Sequence, residues 1–153
     1  SIAILAEYAS SKLNLQKAIA VSPDAGGAER AREFAKCMNI DMISLKKSRD
    51  RNTGEVFVDE KLDADITGRD VILIDDIISS GSSIIKATEV LHKRGAKKIY
   101  AMCAHGLLLG NAATKISAAG AQDIIATNSV PGKYAHVDLS SIIAEALRFR
   151  YSS

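Results

Sequence analysis

The amino-acid sequence predicts an α/β domain in which a parallel sheet has helices on both faces and a small antiparallel hairpin beside it. Strand-like apolar runs alternate with amphipathic segments of about ten to thirteen residues, which is typical of βαβ units. The run VILI at 71–74 is apolar at every position, as in a strand that is buried on both faces. A chain of 153 residues with 47% hydrophobic residues suits one domain with a substantial core, which we expect to span 1–153.

The first half of the chain begins with a helix and then alternates strands with helices. Apolar residues at helical spacing, from Ile2 to Leu13, predict a helix over 1–13. The polar stretch at 46–55 contains one glycine and no apolar anchor, so we expect a mobile loop or hairpin tip there. The other elements expected in this half are a strand at 17–22, a helix at 28–38, a strand at 41–45 and an alternating, antiparallel strand at 55–59.

The second half repeats the alternation. Gly95 and Gly120 stand where two helices are expected to end, because glycine is the usual residue just beyond a helix C-terminus. Asp138 is expected to be the N-cap of the last helix. The expected order is a strand at 70–75, a helix at 82–94, a strand at 97–105, a helix at 110–119, a strand at 123–128 and a helix at 138–149.

Composition excludes several classes of function. The formal net charge of +2 is too small to indicate a nucleic-acid partner or an anionic membrane surface. Cys37 and Cys103 lie far apart and lack metal-ligand spacing, which favours reduced core thiols in a cytoplasmic protein. No apolar run approaches the roughly 18 residues of a membrane span, and no segment resembles a signal peptide.

Unusual residues follow the strand at 70–75, at the edge where open α/β sheets bind ligands. Asp75 and Asp76 come first, and a serine-rich loop around one glycine comes next, formed by Ser79, Ser80, Gly81, Ser82 and Ser83. A loop of this kind before a helix predicts a phosphate cradle, because the helix start offers unpaired N–H groups and the serines add hydroxyls. It lacks the lysine and the spacing of a Walker loop.

The two carboxylates would repel a phosphate, so their natural partners are sugar hydroxyls or a Mg²⁺ ion that bridges to a polyphosphate. Two other interpretations stay open on these residues alone. One is a serine-rich helix cap that follows an acidic pair on the surface. The other is the Mg²⁺ pocket of receiver domains, although there the acids follow the first strand and the phosphoacceptor follows a separate one.

Three further places carry polar residues after expected strands. Asp24 lies in the turn SPDAGG at 22–27 and adds a second acidic position to the same sheet edge. Lys47 and Arg49 lie on the polar loop, where cations are able to close over a transferring phosphoryl group, although a solvated hairpin is the plainer interpretation. His105 ends a strand, and a lone histidine there is more often structural. No pattern of a Ser/His/Asp or Cys/His nucleophile is present, which argues against covalent hydrolysis.

The motifs together resemble those of the ribose-phosphate pyrophosphokinase (PRPP synthetase) family, of archaeal type. The segment VILIDDIISSGSS at 71–83 is similar to the PRPP-binding motif of type I phosphoribosyltransferase-like folds. SPDAGG, LKKSR and CAHGLL occur in the order seen in this family, and the resemblance runs from about residue 1 to 148. The serine loop departs from the usual pattern at Ser82, where family members commonly have glycine.

The resemblance implies a type I phosphoribosyltransferase-like fold and a Mg²⁺-dependent enzyme that transfers the diphosphoryl group of ATP to ribose 5-phosphate. It places the 5-phosphate in the loop from Ser79 to Ser83, the ribose hydroxyls against Asp75 and Asp76, and a Mg²⁺ near Asp24. Lys47 and Arg49 would stabilise the transition state. Family members have two similar α/β domains and form oligomers, and this chain resembles only the second domain.

The resemblance leaves two alternatives. A nucleobase phosphoribosyltransferase would consume PRPP and need no ATP. A non-catalytic subunit associated with PRPP synthetase would have no need of Lys47, Arg49 and an intact loop. An isolated fragment of the family is also expected to bind ribose 5-phosphate without turning over.

Overall fold

A computed structural model describes residues 1–151. Within this range five α-helices and eight strands follow one another, and a short 3₁₀ turn occupies Ala25–Gly27. In order they are α1 (Ile2–Lys12), β1 (Ile19–Ser22), α2 (Ala28–Met38), β2 (Asp41–Ser44), β3 (Lys47–Arg49), β4 (Val56–Val58), β5 (Val71–Ile78), α3 (Ser82–Lys93), β6 (Ile99–Gly106), α4 (Ala112–Ala119), β7 (Asp123–Thr127), β8 (Ala135–Val137) and α5 (Ser140–Tyr151).

Six of the strands form one parallel sheet in the order β2-β1-β5-β6-β7-β8. The strands β3 and β4 pair antiparallel as a separate hairpin, with Lys47 opposite Val58 and Arg49 opposite Val56. The predicted fold class, a parallel α/β sheet with a small antiparallel hairpin, is therefore confirmed. Because β1 and β5 are neighbours, the turn that follows β1 and the loop that follows β5 lie side by side.

The sheet is buried on both faces. On β5, Val71 and Leu73 point into a core that includes Ile84 and Leu91 of α3. Ile72 and Ile74, the alternate residues of the same strand, point into a second core that includes residues of α1 and α2. This alternation explains the uninterrupted apolar run, since a strand between two helical layers has no solvent face.

Several element boundaries differ from the sequence prediction. The strand expected at 70–75 continues as β5 to Ile78, because β6 runs on to Gly106 and pairs Ile77 with His105. Asp75 and Asp76 therefore lie inside a strand and not at its end. The last helix begins at Ser140 and not at 138, although the Asp138 carboxylate still accepts the Ser140 backbone N–H at 2.9 Å. The short strand β8 was not predicted, and the strand β3 lies within the stretch 46–55 that was expected to be a mobile loop or hairpin tip, because three residues give too little pattern.

Among residues 1–151, no helix is both long enough and apolar enough to cross a membrane.

Candidate functional site

The serine loop and Asp75 enclose a cavity of about 190 Å³ at the carboxyl edge of the sheet. Ile77, Ile78 and all five residues from Ser79 to Ser83 line it, and α3 begins at Ser82. Gly81 precedes the helix with φ +79°, a conformation that glycine adopts without strain. The first N–H groups of α3 have no partner within the helix, so they remain available to an anion at the mouth of the cavity.

Ser82 occupies the first position of α3 and is exposed. Its backbone is helical, and it is absent from the residues with positive φ among 1–151. Its hydroxyl lies 3.3 Å from that of Ser80. A serine is therefore accommodated without backbone strain at the position where the resembling family commonly has glycine.

The two acids of β5 have different surroundings. Asp75 lines the cavity and its side chain is 21% exposed, whereas Asp76 is not among the lining residues. The Asp76 backbone N–H donates to Asp75 Oδ1 at 2.7 Å. Burial raises the pKa of Asp75, and the charges of Asp24 and Asp76 raise it further, while the Asp76 N–H and the Arg30 guanidinium act in the opposite direction. Negative charge thus converges at this edge.

The turn after β1 holds Asp24 firmly. The hydroxyls of Ser22 and Ser44 donate to the Asp24 backbone carbonyl at 2.5 and 3.0 Å. Asp24 Oδ1 accepts the Gly27 backbone N–H at 3.1 Å. A Cβ on Gly27 would stand only 2.7 Å from Ser22 Oγ, so the turn requires glycine there.

Lys47 connects the turn after β1 with the serine loop. Its Nζ donates to Asp24 Oδ2 at 3.2 Å and to Ser83 Oγ at 3.1 Å. Arg49 lies two residues further along β3, so its side chain leaves the strand on the same side as that of Lys47. Within the described chain, the Arg49 guanidinium has no hydrogen bond or ion pair and is free to meet a ligand.

Sequence reasoning missed Arg30, which faces the same edge from α2. Its guanidinium lies 3.9 Å from Asp75 Oδ1, and its buried Nε has no hydrogen-bond partner in the described part of the chain. The guanidinium is thus a second cation at this edge, beside Asp75; it is carried by a helix, whereas Lys47 is carried by a hairpin. The local signal is its place as the third residue of the helix after the Asp24 turn, but that place alone does not indicate a contact with β5.

His105 and the cysteines lie outside this arrangement. His105 Nδ1 is 2.7 Å from Ser129 Oγ, and Ser129 also donates to the Ala104 carbonyl, which agrees with a structural histidine. Cys103 is buried, and burial raises its pKa to about 12. Cys37 is exposed and lines a surface pocket with residues of α1, so the prediction of two core thiols was wrong for Cys37.

The oxygen donors at this edge fit Mg²⁺. Asp24, Asp75 and Asp76 supply hard carboxylate oxygens, yet residues 1–151 contain no group of three acidic, histidine or cysteine side chains arranged to hold a metal ion alone. Mg²⁺ commonly binds through one or two carboxylates together with substrate phosphates and water. The donor set therefore suits an ion that arrives with a phosphorylated ligand.

Comparison with known proteins supports one family. A ribose-phosphate pyrophosphokinase of Sulfurisphaera tokodaii is 37% identical over 94% of this chain and 50% of its own length. The Vibrio cholerae enzyme of the same name is 39% identical over 88% of this chain and 45% of its own length. The chain thus spans about half the length of the curated relatives it matches.

The solved structures agree on the fold. A phosphoribosylpyrophosphate synthetase from Mycobacterium smegmatis superposes with a TM-score of 0.81 at 24% identity, over 99% of this chain and 50% of that chain. An orotate phosphoribosyltransferase from Aeropyrum pernix superposes with a TM-score of 0.60 at 19% identity, over 95% of this chain and 73% of that chain. The family model described as the phosphoribosyl synthetase-associated domain matches residues 59–153. Since that match covers more than half of the sequence, the chain belongs to the phosphoribosyl synthetase-associated domain family.

Proposed function

We propose that this chain binds ribose 5-phosphate and that, in the complete protein, it takes part in the Mg²⁺-dependent transfer of the diphosphoryl group of ATP to that sugar, giving PRPP and AMP. The observation that carries the proposal is Lys47, whose Nζ bridges Asp24 and Ser83. One cation therefore stands between an acidic turn and a phosphate-type loop, where it would supply the charge neutralisation on which phosphoryl transfer depends. The names of the curated relatives support the same reaction.

The serine loop would hold the 5-phosphate. The five residues from Ser79 to Ser83 line the cavity, α3 begins at Ser82, and no side chain on the loop carries a negative charge. An anion at a helix N-terminus is stabilised by these unpaired donors and by the helix dipole. The loop would therefore select sugars that carry a phosphate.

The carboxylates would orient the sugar. Asp75, which lines the cavity, and Asp76 beside it would accept hydrogen bonds from the ribose hydroxyls. Asp24 would hold Mg²⁺, with further oxygen ligands from the substrates. When bound, the ion would neutralise charge on the diphosphoryl group.

Lys47 and Arg49 would stabilise the charge that develops on the transferred group. Phosphoryl transfer depends mostly on positioning and charge neutralisation, so the protein needs no nucleophile of its own. The C1 hydroxyl of the sugar would be the attacking group. The free guanidinium of Arg49 and the bridging ammonium of Lys47 would supply two positive charges on one hairpin.

Replacing the two cations tests this function. In a protein that joins this chain to the N-terminal half of a relative, Lys47→Ala and Arg49→Ala should each lower the rate of AMP formation about 100-fold or more, since each removes an interaction made mainly in the transition state. Calorimetry should show that Arg49→Ala leaves the affinity for ribose 5-phosphate nearly unchanged and that Lys47→Ala weakens it by no more than about fivefold. A variant that binds more weakly but turns over normally at saturation would overturn these roles. Lys12→Ala is the matched control, because Lys12 is a cation in the last turn of α1 and is not part of the site.

A second candidate is a non-catalytic subunit of PRPP synthetase, which the description of the family model favours. It predicts ribose 5-phosphate binding with no AMP formation in any assembly. A nucleobase phosphoribosyltransferase would instead release pyrophosphate in a base-dependent reaction that needs no ATP. Assaying AMP and pyrophosphate in the same reaction distinguishes all three.

A further inference from the structure

We propose that Ser83 transmits the occupancy of the serine loop to Lys47, so that a phosphorylated sugar fixes the hairpin of residues 47–58 over the site. Ser83 is then a positioning residue, and the sugar phosphate helps to assemble the groups that act at the other end of the sugar. The inference rests on the proposed function in one respect, which is that the loop takes a phosphate.

The direction of one hydrogen bond carries the argument. Lys47 has only protons to offer, so in the 3.1 Å contact Ser83 Oγ is the acceptor. The hydroxyl proton of Ser83 is then unused, since within residues 1–151 Ser83 donates no side-chain hydrogen bond. Ser83 also lines the cavity. It is therefore able to donate to a phosphate oxygen while it still accepts from Lys47.

Binding of a phosphate should strengthen the bond to Lys47. A hydroxyl that donates to an anion becomes a better acceptor, because hydrogen bonds in a chain polarise one another. The dianion also attracts the ammonium directly across a partly buried cavity. Without a phosphate, the charged partner of Lys47 among residues 1–151 is Asp24 alone, and that carboxylate is the proposed ligand of the metal.

Fixing Lys47 in place should also restrain the outer part of the hairpin. Its base is anchored by Val58, which is buried and pairs with Lys47. Its tip, residues 51–55, is exposed throughout. Arg49 has no side-chain partner among the described residues, and its backbone pairs with Val56, whose carbonyl also accepts from Lys86 of α3 at 3.2 Å. Order at Lys47 should therefore extend along β3 to Arg49.

Amide hydrogen exchange in the hairpin tests the relay on this chain alone, in metal-free buffer. Saturating ribose 5-phosphate should slow exchange over 47–58 by about fivefold, as expected for one added charge-assisted interaction that opposes local opening. Inorganic phosphate should do the same, because it fills the same loop. Ribose at equal concentration should leave the exchange rates unchanged. Equal protection by ribose would overturn the proposal.

Two serine variants separate the relay from simple binding. Ser83→Ala should still bind ribose 5-phosphate through the remaining donors, but at saturation the hairpin should exchange as fast as without ligand. Ser80→Ala is the matched control, since Ser80 contacts Ser82 and not Lys47; at saturation it should retain the full protection. If Ser83→Ala retains that protection, the relay does not exist. Circular dichroism confirms that both variants are folded.

The outcome is distinguishable from failure of the proposed function. Protection of the hairpin together with no AMP formation by the full-length protein would leave the relay standing and overturn the enzyme assignment. AMP formation together with a hairpin whose exchange rates do not respond to ribose 5-phosphate would support the enzyme assignment and overturn the relay. If neither ribose 5-phosphate nor phosphate binds, the loop is not a phosphate site and the relay is overturned as well.

Discussion

At the scale of single residues, Asp75 carries the largest electrostatic conflict in the site. Its carboxylate is partly buried beside two other acids, while Arg30 stands 3.9 Å away and the Asp76 N–H is bound to it. Burial dominates, and the pKa of Asp75 is raised. Replacing such a group commonly raises the stability of a protein. A carboxylate that is present despite this cost is typical of a ligand-binding site.

Asp75→Asn should stabilise the free protein at neutral pH, and the gain should disappear in acid. Because the pKa of Asp75 is raised on folding, its ionised form costs stability above that raised pKa; below the ordinary carboxyl pKa both states are protonated and no cost remains. We expect a gain of roughly 1 kcal/mol at pH 7. Urea unfolding at pH 7 and near pH 3 measures it.

Asp41→Asn is the matched control for this change, because Asp41 lies at the opposite end of the sheet and is ion-paired with Arg69. It should give no stabilisation at either pH. A destabilised Asp75→Asn variant at pH 7 would mean that the Arg30 and Asp76 contacts outweigh the burial of the charge.

Most of the site's residues could be predicted from sequence, for a physical reason. Asp24 and the serine loop come just after β1 and β5, and Lys47 comes three residues after β2; the ends of these strands converge at one edge of a parallel sheet. Arg30 could not be predicted in the same way, because its value depends on a contact with β5, 45 residues further along the chain, that no local pattern records. The different surroundings of Asp75 and Asp76 could not be predicted either, because the sequence does not show that β5 continues past both residues.

At the scale of elements, the start of α3 depends on the packing of α4. Gly81 has φ +79°, and a Cβ there would stand 3.0 Å from Cδ1 of Ile116, a fully buried residue of α4. The glycine therefore serves two needs, a left-handed turn and a close helix contact. The contact between Gly81 and Ile116 therefore helps to set the conformation of the serine loop.

Gly81→Ala should destabilise the protein by about 2–4 kcal/mol, through left-handed strain and overpacking together. Gly110 has φ +58° and open space around its Cα, so Gly110→Ala should cost only about 1 kcal/mol from strain alone. Chemical unfolding of the two variants gives the difference. Equal losses would show that Ile116 moves aside and that packing beneath the loop is loose.

Element prediction succeeded where burial and periodicity agreed. The helix expected at 28–38 is α2 with the same ends, and the glycines at 95 and 120 follow α3 and α4 as expected. The errors fall where pairing between strands decides the boundary. Ile77 and Ile78 join β5 only because β6 is long enough to pair with them, and β8 forms only because β7 offers an edge.

At the scale of the whole molecule, α5 contributes no side chain to either core. Its 12 residues include none that is buried. Five large apolar side chains on it are exposed instead: Ile142, Ile143, Leu147, Phe149 and Tyr151. Apolar surface of this extent is unusual on a monomer and commonly marks a contact with another chain or domain. The chain also spans only about half the length of its curated relatives.

Removing residues 140–153 should therefore change stability little and reduce self-association. Since α5 buries no side chain, its loss should cost less than about 1 kcal/mol. Sedimentation of the intact chain should show concentration-dependent association, and the shortened chain should remain monomeric. The double variant Leu147→Ser and Phe149→Ser, which keeps the full length and removes two of the exposed side chains, should behave like the shortened chain. A large loss of stability on shortening would mean that α5 packs against the sheet layer in solution.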